Sequence, residues 1–255
     1  MPENLEHVLA PMVRKLSLRQ DLSVDDLAAI RALPFSRRKI DAGQYLAWDG
    51  DKPQNTCLLL SGFAFRHKSA GNGGRQVLSF HMKGDLVDLQ NSLLGIADHN
   101  VQMLTPGEVA LIPVEAIRDL AFRHPDVGMA MWYETLVEAS IFREWVLNIG
   151  RRDARTRIAH MLCEFALLLE RAELGQHNAY ELPITQEQLA DAVALTSVHV
   201  NRTLMKLEDD GLITRTKRVI SIVDWPKLAA AADFEPRYLH LERPPGAART
   251  LQPTV

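Results

Sequence analysis

Between His124 and Pro125 the apolar rhythm of this chain changes, and that change bounds what it folds into. Upstream, from 40 to 113, short apolar runs alternate with turn residues. Segments 56–64, 75–81, 101–105 and 109–113 read as strands. Ala70, Gly71, Asn72, Gly73 and Gly74 lie between the first two and signal a hairpin, because Gly and Asn tolerate positive φ. Gly62, Gly84, Gly95 and Gly107 mark further turns. Strands so regularly spaced predict a sandwich or small barrel. Downstream, Pro125 suits a first helical position, and 127–149 contains no proline. Its apolar residues, among them Met131, Trp132, Leu136, Val137, Trp145 and Val146, occupy more than one face. A helix apolar on two faces needs two partners. One is its own barrel; the second is the same helix in another copy, or the interior of a monomer. Gly150 is expected to interrupt this helix, with Asp153 opening a second that runs to Glu170. Ahead of the strands, 22–33 reads as a short helix with Ser23 as N-cap and Asp25 and Asp26 in its first turn.

Composition removes other classes. The chain has 255 residues, 47% hydrophobic, which suits one large domain or two small ones and excludes disorder. Two cysteines, Cys57 and Cys163, cannot build a disulfide scaffold or a metal-binding CxxC pair, and both sit in apolar runs as core thiols. Segment 1–22 carries charges and no signal-type apolar stretch, and no run of about 18 uncharged apolar residues exists. A cytoplasmic protein without membrane attachment is expected. A net charge of −3 does not point to a polyanionic partner.

The block 182–208 does point to one. Thr185 with Gln188 forms a capping box for a first short helix, in which Leu189 and Val193 face inward and Ala190 allows close approach. Ala194 and Leu195 make the turn, and Thr196 caps a second helix. There Val200, Leu204 and Leu207 share one face, while Ser197, Val198, Asn201, Arg202 and Met205 project from the other. A DNA-reading helix is built this way, locked to the core on one side and open to the major groove on the other. Arg202 suits a bidentate contact to guanine and Asn201 one to adenine. Thr185, Gln186 and Thr196 lie at helix N-termini, where N–H groups and hydroxyls suit phosphate. Segments 214–219 and 220–223 then read as a two-stranded wing with Arg215, Lys217 and Arg218 around its turn. From 196 to 222 basic residues outnumber acidic ones, so the chain's acidic excess lies elsewhere.

Taken together, these features resemble the bacterial Crp–Fnr family of transcription regulators over nearly the whole chain. The resemblance rests on Leu60, Ser61 and Gly62 at a strand end, Gly84 and Asp85 before a loop, the long helix, the Asp153 hinge and, most specifically, the 185–190 and 198–204 motifs. It implies an α+β fold. An N-terminal β-roll (a cupin-like jelly roll) spans 1–124, a dimerisation helix 125–150, a winged helix-turn-helix 151–235 and a tail 236–255. It also implies a homodimer on palindromic double-stranded DNA, working with RNA polymerase. In cyclic-AMP-responsive members the positions matching Ser197 and Val198 are arginine and glutamate, so the half-site should differ here. Ala194 replaces a common turn glycine.

The sensor departs most from the pattern. Where cyclic-AMP binders carry Gly-Glu and an arginine pair, this chain has Asp88 and Leu89, then His99 and Asn100. A phosphodiester would face Asp88 and Asp98 with no arginine to pair it. These four positions are the candidate effector pocket for an unknown signal other than cyclic AMP. A haem sensor using His67, His81 or His99 stays open, as does a ligand-binding module that docks on protein partners. An iron–sulfur sensor would need an N-terminal cysteine cluster. No GxSxG, P-loop, HExxH or His-x-His motif is present, so no catalytic or metal residues are assigned.

Overall fold

The computed structural model describes residues 7–242. In chain order its elements are α1 (Ala10–Ser17), α2 (Val24–Arg31), β1 (Ser36–Ile40), β2 (Tyr45–Ala47), β3 (Asn55–Ser61), β4 (Ala64–Ser69), β5 (Arg75–His81), β6 (Leu86–Val87), α3 (Asn91–Leu94), β7 (Asn100–Met103), β8 (Gly107–Pro113) and α4 (Val114–Arg123). Then follow α5 (Pro125–Arg151), α6 (Ala154–Arg171), β9 (Ala179–Glu181), α7 (Gln186–Val193), α8 (Ser197–Asp209), β10 (Ile213–Thr216), β11 (Val219–Ile222), α9 (Trp225–Ala231) and a 3-10 turn, Pro236–Leu239. The molecule is an α+β protein with an N-terminal β-roll, a long helix and a C-terminal helix-turn-helix, as expected. Among the described residues it divides into two compact units: 7–64 with 81–139 and 239–242, and Phe65–Phe80 with Ser140–Tyr238.

In the first unit the antiparallel sheet runs β1-β8-β3-β6, and β2 pairs with β7 across a bulge between Tyr45 and Ala47. Strand β3 is covered on both faces, which is why it reads as a continuous apolar run. Leu58 sits opposite Ala110, and both join Ile112 in a core shared with Met12, Ile30, Ile117 and Met131 of the helices. Its neighbours Cys57 and Leu59 point the other way, into a second cluster with Val87, Val101, Met103 and Val109. Burial, with the nearby Asp88 charge, pushes the Cys57 thiol up to about 12, so it packs as a core thiol. The expected strand 56–64 is two strands. Gly62 breaks it at φ +81, where a Cβ would lie 2.7 Å from the Pro106 carbonyl oxygen. Helix α2 carries the full Ser23–Asp26 capping box. Helices α1 and α4 have no counterpart in the sequence reading. Helix α1 is tied down by Lys15, which pairs with Asp85 and with Glu134, and the following Arg19 also pairs with Glu134.

In the second unit α6 is central, with Ile158, Leu162, Phe165 and Leu169 buried and Asp153 as its N-cap. Helices α7, α8 and α9 and strand β9 pack on it. Cys163 lies in the same core, its thiol pushed up to about 12 by burial. The β4–β5 hairpin belongs here. Phe80 packs against Trp145 and Phe165 at 5.9 and 5.0 Å between ring centres, and Arg75 Nε donates to Asp191 on α7 at 2.7 Å. One expectation is corrected here. Gly150 does not interrupt the long helix, which continues to Arg151, since one exposed glycine costs only about 1 kcal/mol. The polar stretch after α6 runs into β9, which pairs with β11 through Tyr180 opposite Ile220. The tail begins with the 3-10 turn Pro236–Leu239 and a buried Leu239. Pro244, Pro245, Gly246 and Pro253 lie outside the described residues.

Candidate nucleic-acid interface

The reading helix is built from its caps inward. Thr185 Oγ1 accepts from Gln188 N at 3.2 Å and Gln188 Oε1 from Thr185 N at 2.8 Å, completing the predicted capping box of α7. Thr196 Oγ1 accepts from His199 N at 3.2 Å and starts α8. Between the helices Ala194 sits at φ +54, ψ +49, the left-handed turn that the family glycine would adopt freely. Val200, Thr203, Leu204 and Leu207 are buried, and α8 packs with this face toward α6. Arg157 on α6 donates to the Val193 carbonyl at 3.1 Å, placing a cation at the C-terminus of α7. The sequence held no local signal for Arg157, because its partner is 36 residues away.

All nine residues expected at DNA are exposed: Thr185, Gln186, Thr196, Ser197, Val198, Asn201, Arg202, Lys217 and Arg218. Gln186 donates to Asn201 Oδ1 at 3.3 Å, so one α7 residue orients one α8 residue on the open face. Lys217 and Arg218 form the two-residue turn between β10 and β11, set by the pairing of Thr216 with Val219. Lys217 adopts φ +57, as a tight hairpin requires. The wing is three-stranded with β9, and Leu182 N donates to the Arg218 carbonyl at 2.9 Å. Arg215 points elsewhere, pairing with Glu208 at the end of α8.

The candidate effector positions are used differently. Asp88, at φ +59, and His99 are buried together, with His99 Nε2 2.8 Å from Asp88 Oδ1 and Nδ1 2.6 Å from Asp98 Oδ1. Leu89 belongs to the helix-facing core, and Asn100 Oδ1 accepts from Asp49 N at 3.1 Å. The structure thus brings Asp88 and His99 together but not Leu89 and Asn100. His81 lies 3.8 Å from Asp85, and His67 stacks on Phe65. Among the described residues no group of three His, Cys, Asp or Glu side chains is arranged to hold a metal, and no helix is long and apolar enough to cross a membrane.

A capped helix pair with an open polar face, backed by α6 and flanked by a basic-tipped wing, defines a winged helix-turn-helix DNA-binding regulator. The chain matches the model of a Crp-like helix-turn-helix domain over 156–231 and that of a cyclic nucleotide-binding domain over 37–124. It is 27% identical over 212 residues to the transcriptional activator protein FnrL of Cereibacter sphaeroides, covering 82% of this chain and 84% of that protein. It is 24% identical over 221 residues to the fumarate and nitrate reduction regulatory protein of Salmonella typhi, covering 86% and 88%. Among solved structures, FixK2 from Bradyrhizobium japonicum superposes with a TM-score of 0.69 at 20% identity, covering 78% of this chain and 98% of FixK2. The regulator CLP of Xanthomonas campestris gives 0.64 at 17% identity, covering 79% and 100%. The chain belongs to the Crp–Fnr family and is a DNA-binding transcription regulator. That family consists of regulators rather than enzymes.

Proposed function

We propose that this regulator acts in the cytoplasm as a homodimer, joined along α5, that reads a palindromic duplex and works with RNA polymerase. The observation that carries this reading is the division of α8 into a buried face and an open one. Val200, Leu204 and Leu207 hold the helix, leaving Ser197, Val198, Asn201 and Arg202 toward the major groove. Thr185, Gln186 and Thr196 serve phosphates, and Lys217 and Arg218 extend that contact from the wing. For the dimer, Met129, Trp132, Leu136 and Val146 are exposed along α5 at near-heptad spacing. The β-roll takes a signal other than a cyclic nucleotide. The Asp88 and Asp98 carboxylates flank His99 where a phosphodiester would need cations, and Leu89 is committed to the core.

Selection of bound sequences from random duplexes tests the reading. The expected product is a palindrome with half-sites about 10 base pairs apart, centre to centre. Arg202→Ala should weaken binding to it by roughly 1–3 kcal/mol and relax preference at one position of each half-site. Selection without any enriched motif, or an unchanged base preference in the variant, would sink the assignment.

A further inference from the structure

Glu164 is buried inside the second unit, on the helix that backs α8. Trp145 Nε1 donates to its Oε1 at 2.9 Å, and its Oε2 lies 2.5 Å from the Tyr238 hydroxyl. That hydroxyl lies 3.0 Å from His160 Nε2, while His160 Nδ1 lies 3.2 Å from the Ala232 carbonyl oxygen. A carbonyl oxygen only accepts, so a neutral His160 carries its proton on Nδ1 and presents a lone pair at Nε2. Tyr238 must then donate to His160. A hydroxyl has one proton, so the contact with Glu164 is a hydrogen bond only if Glu164 Oε2 is itself protonated and donates to the Tyr238 oxygen. Trp145 donating to the carbonyl oxygen Oε1 fits the same assignment. The chain Glu164 to Tyr238 to His160 to Ala232 then satisfies every polar atom in it. The other placement, a carboxylate with an imidazolium, contains the same number of protons and puts two further charges out of reach of water. Burial favours the neutral form. It pushes the Glu164 carboxyl up to about 7 and His160 down to about 4, aided at Glu164 by the Glu144 charge and at His160 by Arg152.

We propose that Glu164, Tyr238 and His160 form a one-proton latch that holds the segment after α9 against α5 and α6, closed while Glu164 keeps its proton and weakened when that proton is lost. With one proton fewer, Tyr238 can donate to Glu164 or to His160 but not to both. The charged groups facing the cluster are Glu144 from α5, Arg152 from the turn after it, and Asp233 from the segment after α9. Arg152 lies 2.7 Å from Glu144 and 3.0 Å from Asp233, and Glu144 lies 3.7 Å from His160. The sign follows from the raised carboxyl. The Glu164 contribution to the latch is full below the ordinary carboxyl value of 4.5, weakens as pH rises, and levels off above about 7; His160, held down at about 4, contributes in the opposite sense below its ordinary 6.5, and does so whether or not residue 164 can titrate. Relative to a chain that cannot titrate at position 164, opening that hydrates Glu164 grows about tenfold per pH unit across that window.

Hydrogen exchange of 233–240 in the full chain, compared between wild type and Glu164→Gln at matched pH, tests the latch. The glutamine amide donates where the acid proton did and its carbonyl accepts from Trp145, without titrating. Protection in the variant relative to wild type should rise roughly 100-fold between about pH 5 and about pH 7.5. Tyr238→Phe should leave the segment open at both values. Wild type and Glu164→Gln tracking each other through the range would overturn the latch. Infrared spectroscopy reads the proton directly. A protonated carboxyl band present in wild type at about pH 6 and missing in Glu164→Gln is expected, and its absence from wild type overturns the assignment even if a variant misfolds.

Discussion

Ala194 shows how much one position can carry. Its left-handed backbone lets the chain reverse between α7 and α8, and an alanine pays about 1 kcal/mol for it. Ala194→Gly should therefore raise unfolding stability by at most about 1 kcal/mol, the relief of strain being partly offset by a freer unfolded chain, as read by urea denaturation, with the DNA preference unchanged. A variant that loses stability would show that turn to be unstrained. The site's caps, Thr185 and Thr196, were legible because a cap acts within three residues, and so were the exposed Asn201 and Arg202. The engagement of Arg215 by Glu208 was not, because it depends on where β10 leaves α8.

Among elements, the wing separates what a pattern reveals from what it hides. The β10–β11 hairpin and its basic turn follow from alternation and turn chemistry. Strand β9 does not, since three residues inside a polar stretch become a strand only through pairing with β11 and through Tyr180, whose buried hydroxyl donates to the Leu162 carbonyl at 2.7 Å. On the proposed function, Lys217 and Arg218 at the tip contribute charge rather than base contacts. Replacing both with glutamine should weaken binding to all duplexes alike and flatten the salt dependence by about two counterions per wing. Titrations over a range of salt concentrations measure this, and a slope equal to wild type would remove the wing from the phosphate contacts. Helices α1 and α4 were missed for a related reason. Each is short, and each is stabilised by burying residues such as Met12 and Ile117 on the sheet rather than by its own propensity.

For the whole molecule, the long helix poses the assembly question. Two aromatic residues on it looked equivalent in sequence. Trp145 is buried by its own chain and bonded to Glu164, whereas Trp132 is 59% exposed. Of these two, Trp132 is the one open to the proposed second copy. Trp132→Glu should cost the dimer roughly 2 kcal/mol or more, shift the mass seen by light scattering toward the monomer at micromolar concentration, and lower operator affinity in parallel. An unchanged mass would remove α5 from the proposed dimer interface.

By itself, the sequence determined the order of roll, long helix and winged reader, the caps of α2, α7 and α8, and the residues that α8 exposes. These rest on periodicity and on contacts within a few residues. Only the tertiary structure decided that the hairpin 65–80 packs with the reader's unit, that α5 runs through Gly150, that Arg157 anchors α7, and that a buried carboxyl meets a tyrosine 74 residues away. The physical reason is that burial and long-range pairing depend on which segments meet. No local pattern encodes that, and the same meetings set the charge states of the interior.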